Sequence, residues 1–382
     1  MYVILSCSLV GVMGVSMVSP VLPELRNVFG VTDSEVGLVI TAYTLPGVFL
    51  TPFMGLVADR VGRRRVVVPL LFVFGVSGAS IAFVSEFWAI IALRLAQGVG
   101  ASGLITLSIT LIGDLYEGPQ RNAVLGLNGS TISAGAAFYP LLGGSLAVIR
   151  WEVPFLFFGV AVGMGTVAAA ALPEPDGIEP TATREYIGRL GDVLTDSTSL
   201  WLYAATFSAL FIYYGSVLTS VPLVLNAEFG LGSGAIGPIL SVTALSAAVV
   251  SSRYEGIASY VDSRRLVALG FCAYGLALLG LWVAPSPLAV ALVLVVFGGG
   301  NVVTLLSIDA SIMSIAPDDL RAGMMGLRTS AFRLGQTVGP AAFTATAPAV
   351  GASKVAGYRT VFAVFGVLSV TVGAVAYAWL RR

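Results

Sequence analysis

Long runs of apolar residues, separated by short polar or Gly/Pro-rich breaks, follow one another along the whole chain. Each run approaches the roughly 20 residues that a helix needs to cross the hydrocarbon core of a bilayer. The runs lack the apolar/polar alternation of barrel strands and therefore predict helices, which satisfy their own backbone hydrogen bonds in lipid. The pattern predicts an all-α membrane protein with twelve transmembrane helices, at 2–25, 34–57, 66–85, 87–113, 122–147, 153–172, 200–224, 234–255, 265–284, 287–315, 322–347 and 358–380.

The composition supports a protein that lies in a lipid bilayer. Hydrophobic residues make up 57% of the 382 residues, charged residues only 10%, and the mean hydropathy is +0.94. The net charge is zero, which removes the electrostatic basis for binding nucleic acid. Histidine is absent, and Cys7 and Cys272 lie inside apolar runs, so we expect neither a metal site nor a disulfide.

The chain contains an internal repeat. Shifting the second half back by 200 positions aligns glycines, arginines and a proline, among them Gly30 with Gly230, Gly98 with Gly298, Arg64 with Arg264 and Pro140 with Pro340. The long polar segment 173–199 separates the copies. We therefore predict an N-terminal six-helix bundle at 1–172, a cytoplasmic linker at 173–199 and a C-terminal six-helix bundle at 200–382, related as parallel repeats.

Basic residues in the predicted loops lie mostly on one side of the twelve-helix scheme. Only Arg26, Arg150, Lys354 and Arg359 lie on the other side. Cytoplasmic loops carry an excess of Lys and Arg, so both termini and the linker are predicted to be cytoplasmic, in the plasma membrane. The first apolar run begins at Tyr2, with no basic residue ahead of it and no small-residue cleavage site after it, and indicates a spanning helix rather than a cleaved signal peptide.

The loop after the second predicted helix carries the most specific motif. Its glycines permit close approach of helices, its acid can sit against a helix N-terminus, and its arginines hold the loop at the cytoplasmic surface. A plain positively charged anchor is the alternative. The candidate gating-loop residues are Gly55, Asp59, Arg60, Gly62, Arg63 and Arg64.

This loop resembles the G-x-L-x-D-R-x-G-R-R motif of the major facilitator superfamily, and the resemblance extends over essentially the whole chain. Gly14, with Pro20 and Pro23, resembles the first-helix signature of the twelve-helix drug:proton antiporters. The segment from Arg94 to Gly100 resembles the fourth-helix arginine motif of the same family. The resemblance implies the major facilitator fold and a transport function.

The segment Gly135, Tyr139, Pro140, Gly143 and Gly144 resembles the fifth-helix antiporter motif, but Tyr139 stands where the family usually has glycine. A bulky ring there changes close packing at a hinge. Proline inside a helix frees a carbonyl and bends the axis, which suits a gate that rocks. Gly339 and Pro340 occupy the matching place in the eleventh helix, so both sites are candidate hinges, with a tolerated membrane kink as the alternative.

Arg94 lies about eight residues, or roughly 12 Å, inside the fourth predicted helix. A charge at that depth needs a polar cavity or a partner. The resemblance associates this arginine with proton handling; the alternative is an arginine tied to backbone carbonyls for packing only. Glu24 is the only acid of the first helix, so we hypothesise that Glu24 and Arg94 interact.

Asp309 and Arg328 are expected at the same depth on the consecutive tenth and eleventh helices, and Arg333 adds a third charge nearby. Pairing offsets the desolvation that each charge would suffer alone, so we predict a buried ion pair. It serves either proton coupling or a static connection between the helices.

The leading functional hypothesis is a secondary active transporter: proton-coupled efflux of small lipophilic or drug-like compounds by alternating access. A symporter or facilitator for a sugar, amino acid or organic anion is the alternative, and three membrane arginines against one acid favour an anion. A membrane-embedded enzyme or a non-transporting sensor lacks support, because the chain has no histidine, metal-ligand cluster or nucleotide-binding loop. We expect no cofactor, and a monomer whose partners are a small-molecule substrate, protons or another coupling ion, and lipid.

Overall fold

The computed structural model describes residues 1–174, 196–317 and 320–379, so most of the predicted linker lies outside the described residues. Within the described part, the chain forms twelve long helical segments. They are α1 Tyr2–Phe29, α2 Asp33–Val61, α3 Arg63–Phe83, α4 Phe87–Leu115, α5 Gly118–Ala147, α6 Val153–Ala171, α7 Ser197–Phe229, α8 Ser233–Ser251, α9 Ser263–Val283, α10 Pro287–Ile315, α11 Arg321–Val350 and α12 Lys354–Trp379.

Ten of these described segments are long and apolar enough to cross a membrane by length and composition; α5 and α11 are the other two. Both are 30 residues long, about 45 Å, and carry polar side chains along more of their length. The predicted twelve helices are all present. Several extend beyond the predicted ends, as α2 does to Val61, because apolar runs mark the crossing while the helix continues into the polar loop.

Local sequence explains where helices begin and end. Thr32 caps α2: its hydroxyl accepts from the Glu35 N–H, and the Glu35 carboxylate accepts from the Thr32 N–H in return. Helices α1 and α7 end at Gly30 and Gly230, with φ of +62° and +66°, the left-handed conformation that glycine adopts at low cost.

Packing within each copy confirms the repeat of 200 residues. A Cβ added to Gly98 on α4 would overlap the carbonyl oxygen of Tyr43 on α2, and a Cβ added to Gly298 on α10 would overlap the carbonyl oxygen of Thr243 on α8. The same close helix approach therefore occurs at the same register in both copies, where only glycine fits.

The first helix of each copy departs from regular α-helical winding at matching positions. In α1 the turn Ser19–Val21 is a 3₁₀-helix, and in α7 the segment Tyr213–Ser220 is a π-helix. The Thr219 and Ser220 hydroxyls donate to carbonyls five residues back, at 2.8 and 2.7 Å. Such segments break the regular hydrogen-bond ladder and often mark functional sites.

Backbone contacts divide the chain into two compact units. Among the described residues, the first unit holds 1–174 together with 232–237, the first turn of α8. The second unit holds 196–231, 238–317 and 320–379.

Candidate functional site

Arg94 is fully buried in the first unit, where it connects three helices. Its Nε donates to the carbonyl of Val39 on α2 at 3.0 Å, Nη2 donates to the carbonyl of Gly14 on α1 at 2.8 Å, and Nη1 donates to Oε1 of Gln97 at 2.8 Å. The guanidinium also lies over the ring of Tyr43, 4.4 Å from its centroid, a cation–π contact. The charge is thus held by carbonyl dipoles and an aromatic face.

The carbonyl of Gly14 accepts from Arg94 one turn before α1 changes its winding. The N–H of Val18 donates to Val15, at 3.1 Å, rather than to the α-helical partner Gly14. Pro20 lies in the 3₁₀ turn that follows and has no N–H to continue the α ladder.

Glu24 does not pair with Arg94, so the predicted interaction is wrong for this structure. Its carboxylate accepts from the Ser233 hydroxyl at 3.0 Å, and both residues belong to the first unit. The physical reason is distance along α1: Glu24 lies ten residues, about 15 Å, beyond the Gly14 carbonyl that Arg94 reaches. Glu24 and Ser233 instead line an open cavity of about 630 Å³.

The predicted gating loop forms a charged network in which Arg63 is the buried member. Its Nη1 lies 2.5 Å from Asp59 Oδ1, and its Nε lies 3.0 Å from Oδ2 of Asp114 at the end of α4. Nη1 also donates to the Gly55 carbonyl at 3.4 Å. Asp114 was not predicted from the sequence. The usable signal was a single acidic residue at the end of an apolar run, on the same side of the helix scheme as a basic loop.

The remaining loop residues lie around this network. Gly62 joins α2 to α3 with φ of +110°, a conformation that L side chains rarely adopt. The Arg64 N–H donates to Glu174 at 3.4 Å, and its guanidinium donates to the Ala169 carbonyl on α6. Arg60 is exposed. The motif therefore connects α2, α3, α4 and α6 at one end of the first unit.

In the second unit, the predicted ion pair between Asp309 on α10 and Arg328 on α11 is confirmed. Arg328 Nε lies 2.5 Å from Asp309 Oδ1, and Nη2 donates to Oδ2 at 3.1 Å. The two side chains retain 33% and 14% exposure, so the pair is partly accessible. The Nη2–Oδ2 contact is a charge-assisted hydrogen bond, whereas the Nε–Oδ1 contact is an ion pair without hydrogen-bond geometry.

Arg333, about one and a half turns further along α11, donates to a chain of polar side chains. It donates to Gln336 at 3.3 Å, and Gln336 donates to the Tyr214 hydroxyl at 2.5 Å. Tyr214 lies in the π-helical segment of α7, so this chain joins α11 to irregular backbone. Gln336 and Tyr214 were not predicted as site residues.

The predicted hinge in α5 is a place of close backbone contact. A Cβ on Gly143 would overlap the Met17 carbonyl of α1, and one on Gly144 would overlap the Ser233 carbonyl. Tyr139 is 5% exposed and packs over Gly135, so its ring fills the space that the family's usual glycine would leave. Pro140 lies inside the helix.

The matching site in α11 is similar. A Cβ on Gly339 would overlap the Phe211 carbonyl of α7. Pro340 follows inside the helix, and its carbonyl accepts from the Thr344 hydroxyl at 2.8 Å. A hinge function at either site stays a prediction.

Comparison with known proteins agrees with this architecture. The sequence model described as Major Facilitator Superfamily matches residues 4–259 and 256–382, which together cover nearly the whole chain. The chain is 29% identical over 357 residues to the bacillibactin exporter of Bacillus subtilis (strain 168), covering 89% of this chain and 88% of that protein.

Similarity to the quinolone resistance protein NorA of Staphylococcus aureus (strain Mu50 / ATCC 700699) is more local: 30% identity over 148 residues, 38% of each chain. Among solved structures, a bacterial homolog to the human lysosomal transporter Spinster, inward-facing and unoccupied, aligns with a TM-score of 0.82 at 14% identity. That alignment covers 99% of this chain and 96% of that one, and it shows the fold. The chain therefore belongs to the Major Facilitator Superfamily and is a multi-pass membrane transporter rather than an enzyme.

Proposed function

We propose that this transporter exports small lipophilic compounds by alternating access, in exchange for protons. The observation that carries the direction of transport is the 29% identity, along 89% of the chain, to a protein named as an exporter. The local similarity to a quinolone resistance protein supports drug-like substrates. An apolar membrane region with few charges fits such compounds, because burying polar groups of the protein against them would be costly.

Asp309 is our proposed proton-coupling group. As a carboxylate it holds Arg328 through two contacts, and protonation removes the charge on which both depend. Arg328 then loses its counter-ion in a low-dielectric site, which favours a different arrangement of α10 and α11. The partial exposure of the pair gives protons a path to it.

Arg94 and Glu24 have different roles in this proposal. Arg94 holds α1, α2 and α4 in one body, since its three hydrogen bonds all end on that framework. Glu24 is the second candidate proton-coupling residue, and its carboxylate accepts a hydrogen bond from the hydroxyl of Ser233. Both bundles, predicted at 1–172 and 200–382, would move as bodies about the glycines and prolines of α5 and α11.

The proposal includes a location and an assembly state. We propose that the chain lies in the plasma membrane as a monomer, with both termini and the linker 173–199 in the cytoplasm, because most of the loop arginines lie on that side of the helix scheme.

The test is transport into inside-out vesicles with an imposed pH gradient, acid inside. We expect uptake of the lipophilic cation ethidium and of the quinolone norfloxacin, and its loss when the gradient is collapsed. Asp309→Asn should abolish the gradient dependence, whereas Asp262→Asn should not, because Asp262 is an exposed N-cap and asparagine caps as well. Gradient-driven uptake by Asp309→Asn at the wild-type rate would overturn the coupling role.

An organic anion is the second candidate substrate. One observation favours it: α11 carries two arginines beyond its first turn, Arg328 and Arg333, and Asp309 of α10 pairs with the first of them. If an anionic dye such as carboxyfluorescein accumulates in the same vesicles while ethidium and norfloxacin do not, the lipophilic-drug proposal fails and the anion reading replaces it.

A further inference from the structure

The second unit contains a cavity of about 550 Å³ formed where α7 begins, α9 begins and α12 nears its end. Its wall includes Trp201 of α7 and Val372 and Val375 of α12, and these two valines are 43% and 64% exposed on the outer surface of the unit. Such a surface in a membrane protein faces acyl chains. The cavity is therefore an apolar groove open to the bilayer near one membrane surface.

The lining of this groove includes four residues whose side chains can donate hydrogen bonds. They are Arg264, Ser197, Thr198 and, one turn further along α7, Trp201. Within the described part of the chain, none of these four side chains has a hydrogen-bond or ion-pair partner. Among the described residues, the donors of these four side chains are therefore unused in hydrogen bonds.

The internal repeat provides a comparison for this arginine. Its counterpart in the first unit, Arg64, donates through its side chain to the Ala169 carbonyl of α6, and its N–H bonds to Glu174. Helix α6 corresponds to α12 in the repeat. In the first unit the protein itself supplies acceptors to the arginine, whereas in the second unit Arg264 lines an apolar groove.

Asp196 lies beside the same groove but its carboxylate is engaged. It caps α7 by accepting from the Ser199 N–H at 2.7 Å. This bond, with Arg264 contributing a smaller electrostatic effect, lowers the pKa of the Asp196 carboxyl below its usual value. The carboxylate is ionised at neutral pH and interacts with Arg264 electrostatically, but it forms no hydrogen bond with the four donor side chains of the groove.

We propose that this groove is a binding site for one membrane phospholipid, independent of the transported substrate. The lipid phosphate accepts hydrogen bonds from Arg264, Ser197 and Thr198, and an acyl chain lies along Trp201, Val372 and Val375. Arginine suits phosphate because its planar fork donates two parallel hydrogen bonds. The apolar wall and open side select a lipid over a free phosphate compound.

The test uses the intact chain in dodecyl maltoside micelles, which contain no phosphate. Phosphatidylglycerol with brominated acyl chains is titrated in, and the quenching of Trp201 is obtained as the difference between wild type and Trp201→Phe. We expect saturable quenching, and much weaker quenching by brominated diacylglycerol, which has the same chains without the phosphate.

Variants then locate the phosphate. Arg264→Gln should lower the apparent affinity for phosphatidylglycerol about fivefold, as one basic residue near a membrane surface does, while Arg265→Gln, the exposed neighbour outside the groove, should not. Ser197→Ala combined with Thr198→Val keeps every charge and should also weaken binding, which keeps the test decisive if Arg264→Gln fails to fold.

Three results would overturn the proposal. Equal quenching by diacylglycerol would mean an unspecific apolar surface. Equal losses in Arg264→Gln and Arg265→Gln would mean diffuse surface charge rather than a site. Displacement of the lipid by about 10 mM inorganic phosphate, when sodium chloride of the same ionic strength does not displace it, would mean a site for a soluble phosphate compound.

Discussion

Replacing Arg94 with lysine keeps the buried positive charge but removes the planar guanidinium whose hydrogen bonds stabilise it. The guanidinium reaches three acceptors on three helices: the carbonyls of Gly14 and Val39, and the side chain of Gln97. An ammonium is a compact donor at the end of a flexible stem and cannot reach all three at once. We expect Arg94→Lys to lose two of the three hydrogen bonds.

The magnitude follows from those bonds. A hydrogen bond to a charged group contributes about 1.5–3 kcal/mol, so losing two lowers the free energy of unfolding by about 3–6 kcal/mol. For a unit of this size, each kcal/mol lowers the unfolding midpoint by about 2–4 °C. The expected decrease in the midpoint is therefore about 6–24 °C.

The two free cysteines allow each unit to be followed separately. Cys7 is 1% exposed on α1 of the first unit, and Cys272 lies on α9 of the second. With a thiol-reactive fluorogenic dye, a Cys272→Ser background reports the first unit and a Cys7→Ser background the second. The decrease should be larger with the Cys7 reporter.

Arg60, an exposed arginine of the same unit, serves as the control, and Arg60→Lys should leave the midpoint within about 2 °C of wild type. A decrease below about 2 °C in Arg94→Lys would refute the reasoning, because the three hydrogen bonds would then contribute little to the stability of the unit.

Three further predictions test packing, coupling and the loop network. Gly98→Ala should destabilise the protein by about 1–3 kcal/mol, because the added methyl overlaps a backbone carbonyl of α2, whereas Gly126→Ala, with no heavy atom within 4 Å, should be neutral or slightly stabilising in thermal unfolding. Asp309→Arg combined with Arg328→Asp should restore the thermal midpoint lost in either single variant but not proton-driven uptake; full recovery of uptake would make the pair a static bridge. Arg63→Gln should lower the free energy of unfolding by about 3–5 kcal/mol, since two carboxylates then face each other without the buried cation, and a midpoint equal to wild type would contradict the network.

The helices and the repeat could be predicted because lipid enforces simple rules. Every crossing segment must be apolar and helical, and a duplicated scaffold keeps glycine where backbones touch, as Gly98 and Gly298 do. The Asp309–Arg328 pair was predictable for a related reason: two charges at equal depth on consecutive helices have few other partners in lipid.

The partners of Arg94 could not be predicted in the same way. The sequence favoured a carboxylate partner, with backbone carbonyls as the alternative. Two of the three acceptors are indeed backbone carbonyls, but every residue carries one and no sequence pattern distinguishes which will accept. The irregular windings of α1 and α7 were also missed, since apolar periodicity does not separate α, 3₁₀ and π turns. Asp114 was overlooked because its partner Arg63 lies 51 positions away along the chain.

Because of the winding of α1, the effects of substitutions at Pro20 and at Arg94 depend on one another. Pro20 helps keep α1 from continuing as a regular helix, and at that break the Gly14 carbonyl accepts from Arg94 and not from Val18. Restoring an N–H at position 20 favours an α ladder in which Val18 shares that carbonyl, so the hydrogen bond of Arg94 would weaken although the arginine itself is unaltered. Changes at Pro20 and Arg94 should consequently be non-additive, and descendants of this chain that lose one should tolerate loss of the other more readily.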